Sequence, residues 1–324
     1  MNDAWLPAVP SVAVAVALLV LPGLAVRLAG WNVRSITPYL LAPAISVAIL
    51  AVAANVAPLV GLPWSPLPVI IMTVIAAAVA FGLRRWVGRE QVSRPQPRVI
   101  LAVSGGLVLA AVVIAVQLTY VFVEPDSISQ TFDNIVHLNA VRLALDTRDA
   151  SAFTVGMTSG IGFYPNGWHS IVTLVAHATG AGIPVAVNAS NIAIGAVAWP
   201  ASTMALSAVL FHERAAALVS AAALSTAFGA FPILLLHFGV LYPNMLAYAI
   251  LPAGLAVVFG LLHETSRAGR VRSAVLLLVA EYVGKRERTM KELGWRDALA
   301  VGMGVEAFLG RVEYDFKVTL LAAH

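Results

Sequence analysis

The feature that most constrains this chain is a series of long apolar stretches that contain almost no charged residue. The clearest one runs from Val99 to Val123, 25 residues without a charge. A helix needs about 20 apolar residues to cross a hydrocarbon core about 30 Å thick. Hydrophobic residues make up 60% of the chain and charged residues 11%, against roughly 25% charged residues in a soluble domain. The sequence therefore predicts an all-α, polytopic transmembrane helical bundle.

The stretches predict about seven to eight spans, arranged around one long polar segment. Four precede that segment: Ala8 to Val26, Pro38 to Val60, Leu67 to Leu83 and Val99 to Val123. Three long ones follow it: Ile183 to Phe211, Ala215 to Leu236 and Asn244 to Leu262. The short stretch from Asn166 to Ala181 either crosses or lies at the surface and re-enters, which explains the two possible totals.

Arginines set the expected orientation. The loop before the fourth span holds one glutamate and five arginines, namely Arg84, Arg85, Arg89, Arg94 and Arg98. Short arginine-rich loops stay in the cytoplasm, which places the polar loop 124–165 on the extracytoplasmic face of a multi-pass cell membrane protein. The later arginine-bearing loops also stay inside if residues 166–181 do not cross, and this count is favoured over a full crossing.

Composition divides the chain into three regions. Residues 1–98 form an N-terminal three-helix segment with its cytoplasmic loop, and residues 99–280 form the core. Residues 281–324 form a charged tail, and Lys285, Lys291 and Lys317 are the only lysines. This change is typical of a cytoplasmic tail, and equally of a truncated or frame-shifted end. The chain has no cysteine, which excludes zinc-thiolate sites, and no basic stripe that indicates nucleic-acid binding.

The polar segment contains a predicted amphipathic juxtamembrane helix. Thr131 is placed to cap it, and Asp133 lies in the first turn, where the helix dipole favours a carboxylate. Asp133 also precedes His137 by four residues, so the two are neighbours on the helix surface. The plainer alternative is that Asp133 only caps and His137 only meets lipid headgroups. The helical spacing is carried by Ile135, Leu138, Arg142 and Leu145.

Several side chains of this segment have the chemistry of a site. The carboxylates of Glu124, Asp126 and Asp133, with His137 and His169, could hold a divalent cation (Mg²⁺, Mn²⁺ or Ca²⁺) or supply a general base. A metal would fall on Glu124 and Asp126. Arg142 offers a planar fork for a phosphate. Two aromatic residues could stack on a sugar ring or a prenyl chain, or serve as ordinary interface residues: Tyr164 and Trp168.

These motifs resemble a known superfamily. The acidic Glu124-Pro125-Asp126 signature in a large outward loop, the juxtamembrane helix DNIVHLNAVRLALDT and the following FYPNGWH look like the GT-C superfamily of polyprenyl-phosphate-sugar glycosyltransferases. They are also similar to a group of actinobacterial polytopic membrane proteins with such a loop. The resemblance covers roughly residues 99–262 and implies inverting sugar transfer outside the cytoplasm with a loop aspartate as base. GT-C enzymes usually place the acidic loop after the first span. Here the loop follows the fourth span, which three other spans precede.

The expected function is thus sugar transfer from a polyprenyl-phosphate donor to a cell-envelope glycan or lipid acceptor. Polyprenyl phosphate leaves readily, so the reaction needs a base for the acceptor and positive charge for the phosphate. Asp133, or else Asp126, is the expected base. The alternatives are a lipid or polysaccharide transporter or flippase, indicated by proline-broken helices, and a non-catalytic membrane subunit of a cell-envelope assembly.

Overall fold

A computed structural model describes residues 3–30, 35–87, 95–160, 162–237 and 240–263, and within these ranges the chain contains helices and turns but no strand. The region predicted to be a charged tail, residues 281–324, lies outside this part. A 3₁₀ turn (Asp3–Ala8) precedes the first helix, and two π-helical turns (Ile194–Ala198 and Ala230–Leu234) interrupt later ones. The helices are α1 (Val9–Gly30), α2 (Thr37–Leu40), α3 (Ala42–Val56), α4 (Pro66–Val87), α5 (Pro97–Phe122), α6 (Phe132–Thr147), α7 (Ala152–Gly156), α8 (Gly167–Thr179), α9 (Ile183–Ala193), α10 (Trp199–Leu210), α11 (Ala215–Ser225), α12 (Leu235–His237) and α13 (Tyr242–His263).

The all-α membrane bundle is confirmed. Within the described ranges, six helices are long and apolar enough to cross a bilayer, close to the seven or eight spans expected. The expected second span contains the 15-residue α3, and the short stretch after the polar loop contains the 13-residue α8. The six are Asp3–Gly30, Pro66–Trp86, Pro97–Phe122, Ile183–Leu210, Ala215–His237 and Tyr242–Leu262.

The first helices pack closely because α1 presents a glycine to α3. Pro22 lacks an N–H and interrupts the helical ladder, and the next amide, of Gly23, donates to Ser46 Oγ of α3 at 2.8 Å. A Cβ at Gly23 would collide with the backbone carbonyl of Ala42. The apolar core continues from α1 and α3 through α8 and α9 to α13, so the N-terminal helices and the later ones share one core.

Hydrogen bonds between residues far apart in the sequence define the end of the bundle that carries residues 124–165, here called the loop end. Trp5 Nε1 donates to the carbonyl of Val123 at 3.2 Å. The α3–α4 connector also lies there, because Trp64 donates through its amide to the Arg148 carbonyl (2.6 Å) and through Nε1 to that of Ser170 (3.1 Å).

The opposite end, here called the arginine end, includes residues 35–37, 84–87 and 211–214. A single carboxylate joins two of its connections. Glu213 Oε1 accepts hydrogen bonds from Ser35 Oγ at 2.7 Å, from the amides of Ile36 and Thr37 at 3.1 and 3.2 Å, and from Thr37 Oγ1 at 2.9 Å. Residues 35–37 and the α10–α11 turn therefore lie side by side.

Helix α8 begins and ends toward the loop end. Its first turns contact Trp64, and Thr179 at its last residue accepts a hydrogen bond from Ser11 Oγ near the start of α1 at 3.2 Å. Helix α13 begins at the same end, since Tyr242 contacts His137. These contacts agree with the count in which residues 166–181 re-enter and do not cross.

Candidate functional site

The loop end gathers four of the eight predicted site residues into one cluster of rings. His137 of α6 contacts Tyr164 of the loop and both Trp168 and His169 of α8, with ring centroids 5.2 to 6.1 Å apart. Tyr242 of α13 completes the cluster. The other four predicted residues lie around it with exposed side chains: Glu124, Asp126, Asp133 and Arg142.

A hydrogen-bonded histidine pair lies at the centre of this ring cluster. His137 Nδ1 is 3.1 Å from His169 Nε2, and His169 Nδ1 is 3.1 Å from the carbonyl of Pro165. The two side chains are 4% and 1% exposed. A carbonyl only accepts, so His169 carries its proton on Nδ1, and its Nε2 accepts from the Nδ1–H of His137. The pair therefore links α6 to α8.

Trp168 forms the floor of the cluster. Its ring stacks on that of Tyr242 with centroids 4.6 Å apart and 16° between the planes. Its Nε1 donates to Asn191 Oδ1 of α9 at 2.9 Å, so the buried indole keeps a polar partner. Trp168 is thus held by α9 and α13 and is unavailable for stacking on a ligand.

The segment between α6 and α8 is shaped by caps and one close approach. Ser151 caps α7 by accepting from the amide of Thr154. The Tyr164 amide donates to the carbonyl of Ala152 at 2.8 Å. A Cβ on Gly156 would come 2.6 Å from the Phe163 nitrogen, so only glycine lets the returning chain pass this closely. These contacts fix the backbone that carries Tyr164 and Pro165.

The Glu124-Pro125-Asp126 segment leaves α5 through an uncommon turn. The Glu124 amide donates to the carbonyl of Phe122 at 2.8 Å, with Val123 between them at φ 67° and ψ −67°. This is a classic γ-turn, which is strained for a β-branched residue. The turn is held from outside, because Asn188 Nδ2 donates to the carbonyls of Pro125 and Ser127 at 2.9 Å each.

Burial dominates the electrostatics of the rings. It lowers the pKa of His137 from 6.5 to about 4, although the charge of Asp133 and a backbone hydrogen bond with Val240 act in the opposite direction. Burial also lowers the pKa of His169 well below its usual value, and the neighbouring His137 adds to this. The pKa of Tyr164 is raised by burial and by Asp133. Both histidines are therefore neutral at pH 7.

The predicted acidic residues and histidines do not form a metal-binding cluster in the part of the chain that the structure describes. Among the residues that the structure describes, no group of three or more His, Asp or Glu side chains is arranged to hold a metal ion. Glu124 and Asp126 are exposed on the held turn and keep the open coordination that a hydrated Mg²⁺ uses with one or two carboxylates. A cation on this pair stays a prediction.

Arg142 already has an anionic neighbour. Its Nε lies 2.9 Å from Asp146 Oδ2 one turn later, with 67% and 56% of the two side chains exposed. Such an exposed pair contributes little to stability, so a phosphate could displace Asp146 at small cost. Arg142 points away from the inward face of α6, which consists of Asn134, His137, Ala140, Val141 and Ala144.

The comparison with protein families identifies the family of this chain. The sequence model of DUF6541, a family of unknown function, matches residues 16–285. The chain belongs to this family. No curated protein and no solved structure matches it. The matched range includes every residue of the ring cluster and of the acidic turn.

This DUF6541 member also uses residues that its sequence motifs did not indicate. Tyr242 stacks on Trp168, Asn191 binds it, and Asn188 holds the acidic turn. A signal for the two asparagines was present, since polar side chains within apolar spans are costly and mark functional or structural contacts. The Tyr-Pro pair at the start of α13 repeats the Tyr-Pro pair before α8, and both tyrosines enter the ring cluster.

Proposed function

We propose that this DUF6541 member is a membrane glycosyltransferase of the GT-C type, which transfers a sugar from a polyprenyl-phosphate donor to a cell-envelope glycan or lipid acceptor. The observation that carries the proposal is the setting of Asp133. Its carboxylate is exposed in the first turn of α6, and its charge acts on both His137 and Tyr164 behind it. A base that must reach a bulky acceptor needs such an open position beside a fixed frame.

The surroundings of Asp133 suit a lipid-linked donor. Two exposed apolar side chains of α6 lie close to it in sequence, Phe132 at 81% and Ile135 at 59% exposed. Ile128 of the preceding segment is exposed as well. A prenyl chain lying along these residues would bring its phosphate to the height of the first turn of α6. Burying apolar surface contributes roughly 25 cal/mol per Å².

The chemistry then divides among a few groups. Asp133 removes the proton of the acceptor hydroxyl. The oxygen of that hydroxyl then bonds to the anomeric carbon of the sugar. The bond from that carbon to the phosphate breaks, and polyprenyl phosphate leaves with the electron pair. Arg142 stabilises the phosphate through charge-assisted hydrogen bonds, and a divalent cation at Glu124 and Asp126 would add positive charge.

The first test is Asp133→Asn in the full chain, purified into nanodiscs and supplied with radiolabelled polyprenyl-phosphate hexoses and pentoses. Transfer to membrane acceptors should fall by about 10² to 10⁴-fold, the usual contribution of a general base. Asp3→Asn is the matched control, since Asp3 is an exposed carboxylate at the same end, and it should keep wild-type turnover. Full transfer by Asp133→Asn moves the base to Asp126, and full transfer by the double variant removes the glycosyltransferase proposal.

The location of the site outside the cytoplasm is part of the proposal. The chain has no cysteine, so single cysteines can be introduced cleanly. Met157→Cys at the loop end is 69% exposed, and Phe211→Cys at the arginine end is 52% exposed. A membrane-impermeant maleimide should label the first in intact cells and the second only after lysis. The reverse pattern would place the loop in the cytoplasm.

A lipid transporter or flippase is the second candidate, and the central span favours it. In Ile183–Leu210, 72% of the most apolar window is buried within the protein, and the span is interrupted by the π-helical turn Ile194–Ala198. Asn188 and Asn191 lie buried in its first half. Interrupted helices with buried polar groups are common in transporters. Lipid scrambling in reconstituted vesicles that persists in Asp133→Asn would support this second function.

A further inference from the structure

The connection between α5 and α6 contains an extended segment whose side chains alternate between two faces. From residue 124 to residue 132, the even-numbered residues are exposed and the odd-numbered ones are partly covered. A period of two is the pattern of extended backbone. The exposed face therefore carries both acidic and apolar side chains, in the order Glu124, Asp126, Ile128, Gln130 and Phe132.

Three carbonyl groups of this segment receive no hydrogen bond from the backbone. They belong to Pro125, Ser127 and Ser129, which are alternate residues of the partly covered face. No backbone amide in the described part of the chain donates to any of the three. A carbonyl that is kept from water without a donor is costly. The segment therefore depends on side chains for these hydrogen bonds.

Two buried asparagines supply the donors, and together they are here called the asparagine clamp. Asn188 of α9 donates from Nδ2 to the carbonyls of Pro125 and Ser127, both at 2.9 Å. Asn134 of α6 donates from Nδ2 to the Ser129 carbonyl at 2.8 Å. Each asparagine is only 2% exposed. Because a carbonyl only accepts, the amide nitrogen of each asparagine must face the segment.

The asparagine clamp also opposes strain at the start of the segment. Val123 adopts φ 67° and ψ −67°, which is unfavourable for a β-branched residue. Strain of this kind persists only where the surrounding contacts hold the backbone. Trp5 Nε1 holds the Val123 carbonyl at 3.2 Å, and Asn188 holds the carbonyls at positions 125 and 127. Removal of the Asn188 amide would therefore let the turn relax and the segment move away from α9.

We propose that Asn134 and Asn188 are positioning residues, which hold the exposed side chain of Ile128 beside the first turn of α6, where the prenyl chain of the donor binds. The role in donor binding rests on the proposed function, whereas the clamp itself does not. Asn134 directly follows Asp133, so it fixes the segment to the turn that carries the expected base. Asn188 fixes the other end of the segment to the buried central span.

Spin labels test the asparagine clamp without an assay of activity. The chain has no cysteine, so a nitroxide can be attached at Ile128→Cys or at Met157→Cys, where the native side chains are 46% and 69% exposed. Asn188→Leu removes the amide, keeps the branched shape and suits an apolar span. In nanodiscs, it should raise the mobility of the label at position 128 and leave that at position 157 unchanged. Unchanged mobility at position 128, or equal increases at both positions, would overturn the proposal.

The matched control is Asn55→Leu, which removes another asparagine of the loop end. Asn55 accepts from the Ala152 amide at 2.9 Å and donates to Asn166 Oδ1 at 3.3 Å, so its loss should leave the label at position 128 unchanged. An increase there would assign the effect to general loosening of the loop end and contradict the clamp. If Asn188→Leu does not insert intact, Asn134→Ala decides: greater mobility at position 128 supports the clamp, and wild-type mobility refutes it.

Donor kinetics test the role of the positioned segment. Asn188→Leu should raise the KM of a long-chain polyprenyl-phosphate hexose about tenfold while kcat stays within about threefold, which is the pattern of lost ground-state binding. A donor with a short prenyl chain should be affected less, because it buries less apolar surface. Asn55→Leu should keep the wild-type preference for chain length.

The two possible failures give different results. If Asp133→Asn transfers normally while the label at position 128 still responds to Asn188→Leu, the proposed function fails and the asparagine clamp stands. If Asp133 proves essential and Asn188→Leu keeps the wild-type KM and chain-length preference, the role of the clamp in donor binding is wrong.

Discussion

Helices α4 and α8 show two different ways for an apolar helix to be stable in this protein. Helix α4 has 22 residues, and only 11% of its most apolar window is buried inside the protein. Helix α8 has 13 residues, and every side chain from Gly167 to Ala176 is buried. Lipid can cover α4 without any specific partner, whereas the polar groups of α8 need protein partners because unpaired buried polar groups are costly. Length reveals the first kind of helix, and polar pairing reveals the second.

The sharpest way to break this comparison is to remove a tryptophan from each helix. Trp168→Ala should lower the free energy of unfolding by about 3 to 5 kcal/mol, because it removes a fully packed ring, its stack on Tyr242 and its bond to Asn191. Trp86→Ala on α4, where the side chain is 75% exposed, should change it by about 0.5 kcal/mol or less. Thermal unfolding in nanodiscs measures both. Equal losses would show that the two helices do not differ in this way.

Acid should destabilise the α6–α8 contact while leaving the lipid-facing helices unaffected. The pKa of His137 is lowered from 6.5 to about 4, so between these values the unfolded state binds more protons than the folded one. Stability is therefore complete above pH 6.5 and falls as the pH drops toward 4, by about 3 kcal/mol from this residue. The lowered pKa of His169 acts in the same direction.

The His137→Gln variant checks the assignment of this effect. Between pH 6.5 and pH 4, the free energy of unfolding of this variant should fall by about 3 kcal/mol less than that of the wild type. His177→Gln, with an exposed side chain on α8, should keep the wild-type dependence. A dependence that is unchanged in His137→Gln would assign the acid effect to other groups.

A smaller effect is expected from one methyl group. Gly156→Ala should cost about 1 to 3 kcal/mol, because the new Cβ would push the Phe163 backbone and displace Tyr164. Gly105→Ala on α5 is the control: its Cβ would meet nothing within 4 Å, and alanine favours helix over glycine by up to about 1 kcal/mol. Unfolding measurements should therefore move in opposite directions. A neutral Gly156→Ala would show that the returning loop can shift.

The features that depend on hydropathy were predicted from the sequence, whereas those that depend on pairing between distant side chains were not. The long spans and α6 were expected, since apolar length and helical spacing are visible in the residues. The inward face of α6 was not, because Asn134 and His137 face inward while Ile135 is exposed. Asn134 donates to the Ser129 carbonyl at 2.8 Å and His137 pairs with His169, and these partners are not neighbours in a hydrophobic pattern. Tyr242 joined the site from more than 70 residues away for the same reason.

The Glu213 carboxylate has a consequence for the order in which the chain is assembled. Its partners Ser35 and Thr37 precede it by 178 and 176 residues, so a ribosome adding about 5 to 20 residues per second needs on the order of ten to thirty-five seconds to supply it. During that time α2 to α10 are made without the acceptor for the amides of Ile36 and Thr37 and the hydroxyls of Ser35 and Thr37. The first helices are therefore in the membrane before residues 35–37 have their Glu213 partner. The turn after α10 supplies this partner late in synthesis.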